Sequence, residues 1–285
     1  MTRDDFRFSE PLRVRWAEID AQKIVFNGHY LMYFDTAIAG YWRALRVPYA
    51  EAMAWLGGDL YVKKATLEYH ASARYDDRLE LAMRCARIGT SSMTFAGAAF
   101  RRDEMLVSCE LVYVYADPST QTSRPVPPPL RATFEGYEAG ASMIDVQLGD
   151  WATLAAPARR IREAVFIEEQ GVPIDMEWDT ADATAVHAVA FNRLSMPLAT
   201  GRLLQHAPGV GRIGRMASLQ SMRGEGLGRQ VLDALIGRAA TRGDKQVCLS
   251  AQLPAQAFYE RAGFVAHGPA FQEAGIAHIE MSRAV

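Results

Sequence analysis

Residues 215–235 read RMASLQSMRGEGLGRQVLDAL, and this stretch decides the fold of the C-terminal half of the chain. A short apolar run ends at Leu219, a glycine-rich loop follows, and Val231, Leu232 and Leu235 then recur at helical spacing. Strand, glycine loop and helix in this order form a phosphate-binding device, because glycines let backbone N–H groups approach an anion and the helix N-terminus adds partial positive charge. An ordinary helix entry with spare glycines is the competing interpretation. The spacing fits neither a Walker loop nor a Rossmann fingerprint.

Two motifs at a suitable separation narrow the interpretation. Arg223, Gly226 and Gly228 fill an Arg/Gln-x-x-Gly-x-Gly/Ala signature, and FYERAGF follows at 258–264. On these residues the C-terminal half resembles the GNAT superfamily of N-acetyltransferases. The resemblance implies that acetyl-CoA is a substrate, that the loop holds its pyrophosphate and that backbone on the preceding strand polarises the acetyl carbonyl. The implied cofactor-binding residues are Ala217, Ser218, Arg223, Gly224, Glu225, Gly226, Leu227, Gly228 and Arg229.

The same resemblance assigns catalytic and acceptor residues. Tyr259 stands where a tyrosine protonates the departing CoA thiolate, and Glu273 and His278 lie in a tail that matches one bacterial branch of the superfamily. Each has a simpler interpretation, a core aromatic for Tyr259 and surface charges for the other two. The general base remains open among Glu169, Glu273 and His278, or a water bound to one of them.

The N-terminal half has a different pattern. From Tyr30 to Leu45 the apolar positions follow helical spacing over a wide arc, which predicts a helix wrapped by a sheet. Turn signals at Asp76-Asp77, Gly89 and Asp103-Glu104 separate strand-like runs. These runs cover residues 8–16, 60–73, 78–88, 92–101 and 106–116. One strand, a long helix and a four-strand meander predict an α+β fold. A buried helix wrapped by an antiparallel sheet resembles the hotdog fold.

The stretch from Trp16 to Phe34 is similar to the 4-hydroxybenzoyl-CoA thioesterase family. Its pattern is filled by Glu18, Asp20, Ala21, Val25, Tyr30, Phe34 and Asp35. The resemblance implies hydrolysis of an acyl-CoA, with Asp20 attacking the thioester or activating water, and a homodimer or larger homo-oligomer. Helix N–H groups near Asn27 and Gly28 are expected to polarise the substrate carbonyl.

Three observations weigh on that assignment. An aspartate before a helix commonly caps a loop, which is the competing interpretation of Asp20. His29 ranks below Asp20, because a lone histidine at a helix entry is more often structural. Lys23 occupies a position where the family usually has glycine, and a position of positive φ suits lysine poorly. A rebuilt loop is therefore expected there.

The proline-rich residues 117–129, DPSTQTSRPVPPP, indicate a stiff linker, and a short helix is expected over 130–137. The predicted domains are 1–140, an acyl-CoA thioesterase-like hotdog, and 141–285, a GNAT α/β domain with a mixed sheet. The fold class predicted for the whole chain is α+β.

Composition excludes several other classes. The chain has 285 residues, a formal charge of −2 and 49% hydrophobic residues, so it suits globular cores and gives no case for nucleic acid. No apolar run is long enough to span a membrane and no signal peptide is visible, so we expect a cytoplasmic protein. The three cysteines lack metal spacing, and neither a metal nor a tightly bound cofactor is expected.

The sequence leaves two functional hypotheses. The first is a bifunctional enzyme that hydrolyses an acyl-CoA and transfers acetyl from acetyl-CoA to an amine, with these small molecules as its partners. The second is an acetyltransferase whose hotdog domain only binds acyl-CoA or dimerises.

Overall fold

The computed structural model describes residues 1–285 and divides the chain into two compact units, residues 1–143 and 144–285. The predicted boundary at 140/141 lies three residues before this division. The proline-rich run is not a linker between the units, which corrects that prediction. Arg124 N–H donates to the Tyr115 carbonyl at 2.9 Å, Val126 N–H donates to the Thr90 carbonyl at 2.8 Å, and Val126 is buried. These contacts fasten the run to the sheet of the first unit.

The first unit is an antiparallel sheet with helices, the α+β hotdog arrangement that was predicted. Its elements are β1 (Phe8–Arg13), α1 (Asn27–Ala44), α2 (Tyr49–Leu56), β2 (Asp59–Tyr69), β3 (Arg78–Ile88), β4 (Ser92–Arg101), β5 (Glu104–Ala116) and α3 (Pro128–Glu138). The strand order is β1-β3-β4-β5-β2. The prediction of a four-strand meander was wrong, because β2 pairs with β5 and not with β3.

Contacts of the segment after β2 explain this order. The N–H groups of His70 and Ala71 both donate to the Leu106 carbonyl, at 2.8 and 3.0 Å. The Ala73 carbonyl then accepts from Val25 N–H at 2.9 Å. The chain thus crosses from β2, at one edge of the sheet, to β3, which pairs with the opposite edge strand β1.

Helix α1 is the buried centre of this unit, as its wide apolar arc predicted. Its buried residues are Tyr30, Tyr33, Phe34, Ala37, Ile38, Tyr41 and Trp42. Phe34 has no exposed surface, and a Cβ on Gly97 of β4 would lie 3.1 Å from its ring. Glycine therefore lets the sheet approach the helix closely.

The second unit contains a mixed sheet, which confirms the predicted α/β class. Its elements are β6 (Ile144–Gly149), α4 (Trp151–Arg162), α5 (Ile174–Glu177), β7 (Val186–Asn192), β8 (Pro197–Ala207), β9 (Val210–Ser218), α6 (Leu227–Arg242), β10 (Gln246–Gln252), α7 (Gln256–Glu260), β11 (Val265–Glu273) and β12 (Ile276–Ala284). The strand order is β11-β12-β10-β9-β8-β7-β6, and only β9 and β10 run parallel. Helix α4 ends at Arg162, and the chain continues as a π-helical stretch, Glu163–Glu169.

The two parallel strands separate after a short contact. Only residues 246–248 pair with residues 210–212, and the strands diverge beyond them. On the other side of β9 a bulge sets Arg215 and Met216 against Gly201 of β8, and Arg215 takes a φ of 51°. The divergence opens the sheet at the point where the glycine loop leaves β9. None of the helices combines the length and the hydrophobicity that a membrane-spanning helix requires.

Candidate functional sites

The loop that carries Asp20 in the first unit is a tight antiparallel turn. Asp20 N–H donates to the Ile24 carbonyl at 2.9 Å, and Lys23 N–H donates to the Asp20 carbonyl at 2.9 Å. Lys23 has a φ of 63°, so this position does require the left-handed conformation that glycine adopts most easily. Lysine occupies this strained conformation while the two hydrogen bonds keep the turn closed.

The side chain of Asp20 is half-buried, and only one of its two carboxylate oxygens accepts a hydrogen bond. Its Oδ1 accepts from Gln22 N–H at 2.8 Å, which is the turn-capping arrangement that competed with a catalytic role. Its Oδ2 has no hydrogen-bond partner in the chain. One carboxylate oxygen therefore braces the turn and the other is available.

Helix α1 begins two residues after this turn closes. Phe26 stands at the N-cap position and provides no side-chain cap, so the first N–H groups of the helix, at Asn27 and Gly28, have no intrahelical partner. Both residues are exposed. His29 stacks on the Tyr33 ring at a centroid distance of 6.5 Å, and no hydrogen bond connects it to Asp20. A carboxylate oxygen and uncapped helix donors thus lie on one short loop, and His29 is not part of a catalytic pair.

Glu18, which the sequence analysis used only as part of a pattern, holds this loop in place. The Tyr33 hydroxyl and Arg15 N–H each donate to its carboxylate at 2.7 Å, and the residue is 2% exposed. Burial opposes ionisation of Glu18, but these hydrogen bonds outweigh it and hold the pKa of the carboxyl below its usual value. The three-residue spacing of Arg15 and Glu18 resembles a capping box and could have signalled this role.

In the second unit the glycine loop has the backbone that anion binding needs. Gly224 and Gly226 have φ values of 86° and 77°, and Gly226 caps α6 without a side-chain hydrogen bond. The first N–H groups of this 16-residue helix are therefore open, at the positive end of its dipole. A Cβ on Gly228 would lie 3.5 Å from Ser218 Oγ and 3.7 Å from the Phe258 ring, so the helix start sits close to β9 and α7.

The two loop arginines are paired with carboxylates of the chain itself. Arg223 donates to both Glu169 oxygens at 2.7 Å, and Arg229 pairs with Asp233 one helical turn away at 2.8 Å. Hydrogen bonds from Arg223 hold the pKa of Glu169 below its usual value, which makes Glu169 a weak candidate for the general base.

A cavity of about 340 Å³ occupies the opening between β9 and β10. Tyr259 from one predicted motif, and Glu273 and His278 from another, all line it. Met216 lines it from β9, and Ala217 and Ser218 follow Met216 on the same strand. The structure therefore brings the predicted acid and both acceptor residues into one space. No group of three or more His, Cys, Asp and Glu side chains in the chain is arranged to hold a metal ion.

Tyr259 packs as a core aromatic and also lines the cavity. Its ring is 8% exposed and packs edge-on against Phe258 and Phe264, at centroid distances of 4.9 and 5.8 Å. Its hydroxyl has no hydrogen-bond partner in the chain. Burial raises the pKa of Tyr259 to about 12, which keeps the phenol protonated at neutral pH and suits it to donate a proton.

Sequence reasoning missed a buried ionic cluster beside the cavity. Arg162, 1% exposed, pairs with Glu177 and with Asp182 at 2.9 Å, and Arg202 pairs with Asp179 and Asp182 at 2.7 Å each. Removing one member would leave an uncompensated buried charge, so the cluster ties α4, α5 and β8 together. Of its members, Glu177, Asp179 and Arg202 line the cavity. The arginine within the apolar strand β8 was the available signal.

Comparison with known proteins agrees with this division of the chain. Residues 22–108 match the family model described as "Thioesterase superfamily", and residues 184–285 match "Acetyltransferase (GNAT) domain". Asp20 lies two residues before the first matched range, and Tyr259, Glu273 and His278 lie inside the second.

Individual relatives cover one half each. The uncharacterized N-acetyltransferase YjcF of Bacillus subtilis is 34% identical over 124 residues, which is 43% of this chain and 87% of that protein. The acyl-CoA thioester hydrolase YbgC of Escherichia coli O157:H7 is 27% identical over 133 residues, 45% of this chain and 96% of that protein. The crystal structure of an acyl-CoA N-acyltransferase from Pseudomonas aeruginosa is 35% identical, covers 50% of this chain and 99% of its own, and superposes with a TM-score of 0.46. The chain therefore belongs to the GNAT acetyltransferase family through its C-terminal half, and its N-terminal half is a domain of the thioesterase superfamily.

Proposed function

We propose that the chain is a bifunctional acyl-CoA enzyme. Its first unit hydrolyses an acyl-CoA thioester through Asp20. Its second unit transfers acetyl from acetyl-CoA to an amine, with Tyr259 as the general acid. Coenzyme A thioesters are the substrates of both units, and no tightly bound cofactor takes part.

The transferase proposal rests on one observation, the opening between β9 and β10 with the Tyr259 hydroxyl unpaired beside it. Open N–H groups at the start of α6 suit the CoA pyrophosphate, and backbone at Ala217 and Ser218 suits the acetyl carbonyl. The amine nitrogen attacks that carbonyl, the C–S bond breaks, and the Tyr259 phenol gives its proton to the thiolate. Arg223 and Arg229 can contribute to phosphate binding only after leaving Glu169 and Asp233.

The hydrolase proposal rests on the free Oδ2 of Asp20 and the uncapped N-terminus of α1 on the same loop. Asp20 Oδ2 takes a proton from water as the water oxygen attacks the thioester carbonyl. The N–H groups of Asn27 and Gly28 stabilise the oxyanion. The C–S bond then breaks, giving a carboxylic acid and the CoA thiol.

The test is thiol release from short, long and aromatic acyl-CoAs by the full chain without amine. Asp20→Asn should lower release by roughly 10²–10⁴-fold, the usual contribution of a positioned acid–base group. Asp103→Asn is the matched control, because Asp103 is an exposed acid in the turn between β4 and β5. Release by Asp20→Asn at the wild-type rate would end the hydrolase proposal.

The transferase is tested separately with acetyl-CoA and a panel of primary amines. Tyr259→Phe keeps the packing against Phe258 and Phe264 while removing the proton, so we expect a roughly 10²-fold lower kcat and unchanged thiol release without amine. Wild-type protein that acetylates no amine, while binding acetyl-CoA, would contradict the transferase proposal.

A second function for the first unit is favoured by one feature, its exposed edge strand. β2 has 11 residues, its outer edge has no partner strand, and Tyr61, Val62 and Tyr69 are exposed on it. An unpaired edge of this length suits pairing with a second copy of the chain, as in a homodimer. A non-catalytic acyl-CoA-binding dimerisation module would show a dimer by light scattering and acyl-CoA binding, with no thiol release from any member of the panel.

A further inference from the structure

The general base of the transferase can be assigned from the hydrogen bonding of one histidine. Its ring lies on β12, is half-buried, and lines the cavity that Tyr259 also lines. Nδ1 of His278 lies 2.8 Å from the carbonyl oxygen of Ile276. A carbonyl can only accept, so the proton must be on Nδ1. In the neutral ring Nε2 is then an unprotonated acceptor, and it has no partner in the chain.

The surroundings hold this ring in a fixed orientation. Phe271 of β11 stacks on it with a centroid distance of 6.0 Å and an interplanar angle of 26°. With one nitrogen bonded and one face covered, the ring is held in one orientation where it lines the cavity.

The other candidates are less suited to the role. Glu169 is paired with Arg223 through both oxygens. His187 is 1% exposed, its Nε2–H donates to the Asp182 carbonyl at 2.9 Å, and it does not line the cavity. Glu273 lines the cavity, is exposed and has no ion-pair partner in the chain. It is therefore better suited to attract a cationic acceptor than to accept a proton from the acceptor's ammonium group.

We propose that His278 Nε2 is the base that deprotonates the acceptor ammonium, which Glu273 holds at the mouth of the cavity. This inference rests on the transferase function proposed above. The ammonium gives one proton to Nε2, and its lone pair then forms the N–C bond as the C–S bond breaks. The phenol of Tyr259 supplies the thiolate proton and regains one when the new amide nitrogen loses its second proton. The proton held by Nε2 is then released to solvent. The acceptor class that follows is a primary amine that is cationic in solution.

The charged and titratable groups around the ring come from three strands. β11 contributes Glu273 and His267, β9 contributes Arg212, and β12 itself contributes Glu280, which lies opposite His267 and pairs with Arg212 at 2.8 Å. The neighbouring β10 residues on that face, Ser250 and Gln252, are neutral. Glu273 is thus the one unpaired charge beside His278.

The decisive variant is His278→Asn in the full chain. The asparagine amide can still donate to the Ile276 carbonyl, but it offers no basic nitrogen at the cavity. We expect a kcat for amine acetylation lower by roughly 10²–10⁴-fold, with the KM for acetyl-CoA unchanged. The acidic limb of the pH–rate profile should change, with the lost rate partly recovered at high pH, where the amine arrives unprotonated. His267→Asn is the matched control, because His267 lies on β11, bonds Ser282 and does not line the cavity.

A second measurement does not depend on activity. ¹⁵N NMR of the imidazole rings, with the His278 signals assigned by their loss in His278→Asn, should show the neutral ring protonated on Nδ1. A neutral ring protonated on Nε2 would overturn the assignment, and so would His278→Asn acetylating amines at the wild-type rate with the wild-type pH profile. In that last case the transferase proposal stands and only the base is wrong. If wild-type protein binds acetyl-CoA but acetylates no amine, the transferase proposal fails and the base assignment fails with it.

Discussion

Replacing Lys23 by glycine tests whether the Asp20 turn is held by its backbone or by the lysine side chain. Lys23 has a φ of 63°, is exposed, and makes no side-chain hydrogen bond or ion pair. The left-handed conformation costs a residue with a Cβ about 1–2 kcal/mol. Glycine avoids this cost but loses about 0.5–1 kcal/mol more backbone entropy on folding. The free energy of unfolding of the first unit should therefore rise by about 0.5–1 kcal/mol in Lys23→Gly.

The assay is urea and thermal unfolding of the full chain, followed together with thiol release. For a unit of this size the expected gain corresponds to an increase in Tm of about 1–4 °C. Thiol release should stay within about twofold of wild type, because the turn already has the conformation that glycine would adopt. Lys23→Ala removes the same side chain but keeps the Cβ, so its stability should stay near that of wild type.

Two results would refute this reasoning. If Lys23→Gly and Lys23→Ala change stability or hydrolysis equally, the side chain and not the backbone conformation is responsible. If Lys23→Gly lowers the free energy of unfolding by more than about 1 kcal/mol, the left-handed conformation at this position is not a strain on the fold.

Three further predictions concern the second unit. Gly226→Ala places a Cβ at a φ of 77°, so it should lower the free energy of unfolding by about 1–2 kcal/mol and weaken acetyl-CoA binding measured by calorimetry. Gly237→Ala is the control, because a Cβ at Gly237 of α6 would meet open space, and acetyl-CoA binding should not weaken in that variant. Glu169→Gln weakens the ion pair that occupies Arg223, so the Kd for acetyl-CoA should fall by roughly 2–5-fold, in line with the modest strength of exposed pairs, and a higher Kd would contradict a phosphate role for this arginine. Burial lowers the pKa of His187, so the unfolded state binds more protons and stability is lost as pH falls below about 6.5. Unfolding midpoints from pH 7.5 to 5.5 should show this loss, and His187→Gln should reduce it if the reasoning is right.

The sequence predicted the parts of this fold that depend on neighbouring residues. Strands over 78–88 and 92–101 have the predicted bounds, because alternation and turn signals are local. The glycine loop was recognisable for the same reason. Its residues are contiguous in the sequence, and each glycine is needed for the conformation of the backbone at its own position. Helix α2 was overlooked.

Contacts between segments that are distant in the sequence could not be predicted from local patterns. The position of β2 beside β5 depends on where residues 70–77 find hydrogen-bond partners, and those partners lie elsewhere in the chain. The ionic cluster around Arg162 and Arg202 joins residues up to 40 positions apart, and local patterns do not indicate which acid each arginine meets. The same holds for Arg223, which was expected at a phosphate and is bonded to Glu169.

The same distinction between local and long-range information applies to the candidate site. The sequence by itself determined two domain families, the glycine loop, and Asp20, Tyr259, Glu273 and His278 as candidates, because motifs are properties of a continuous chain. Only the tertiary structure decided that Tyr259, Glu273 and His278 share one cavity, and that the free nitrogen of His278 is Nε2. The physical reason is that a cavity and a proton position are set by contacts across a divergent sheet and by the acceptor each donor meets. Both depend on the folded arrangement of strands that are separate in the sequence.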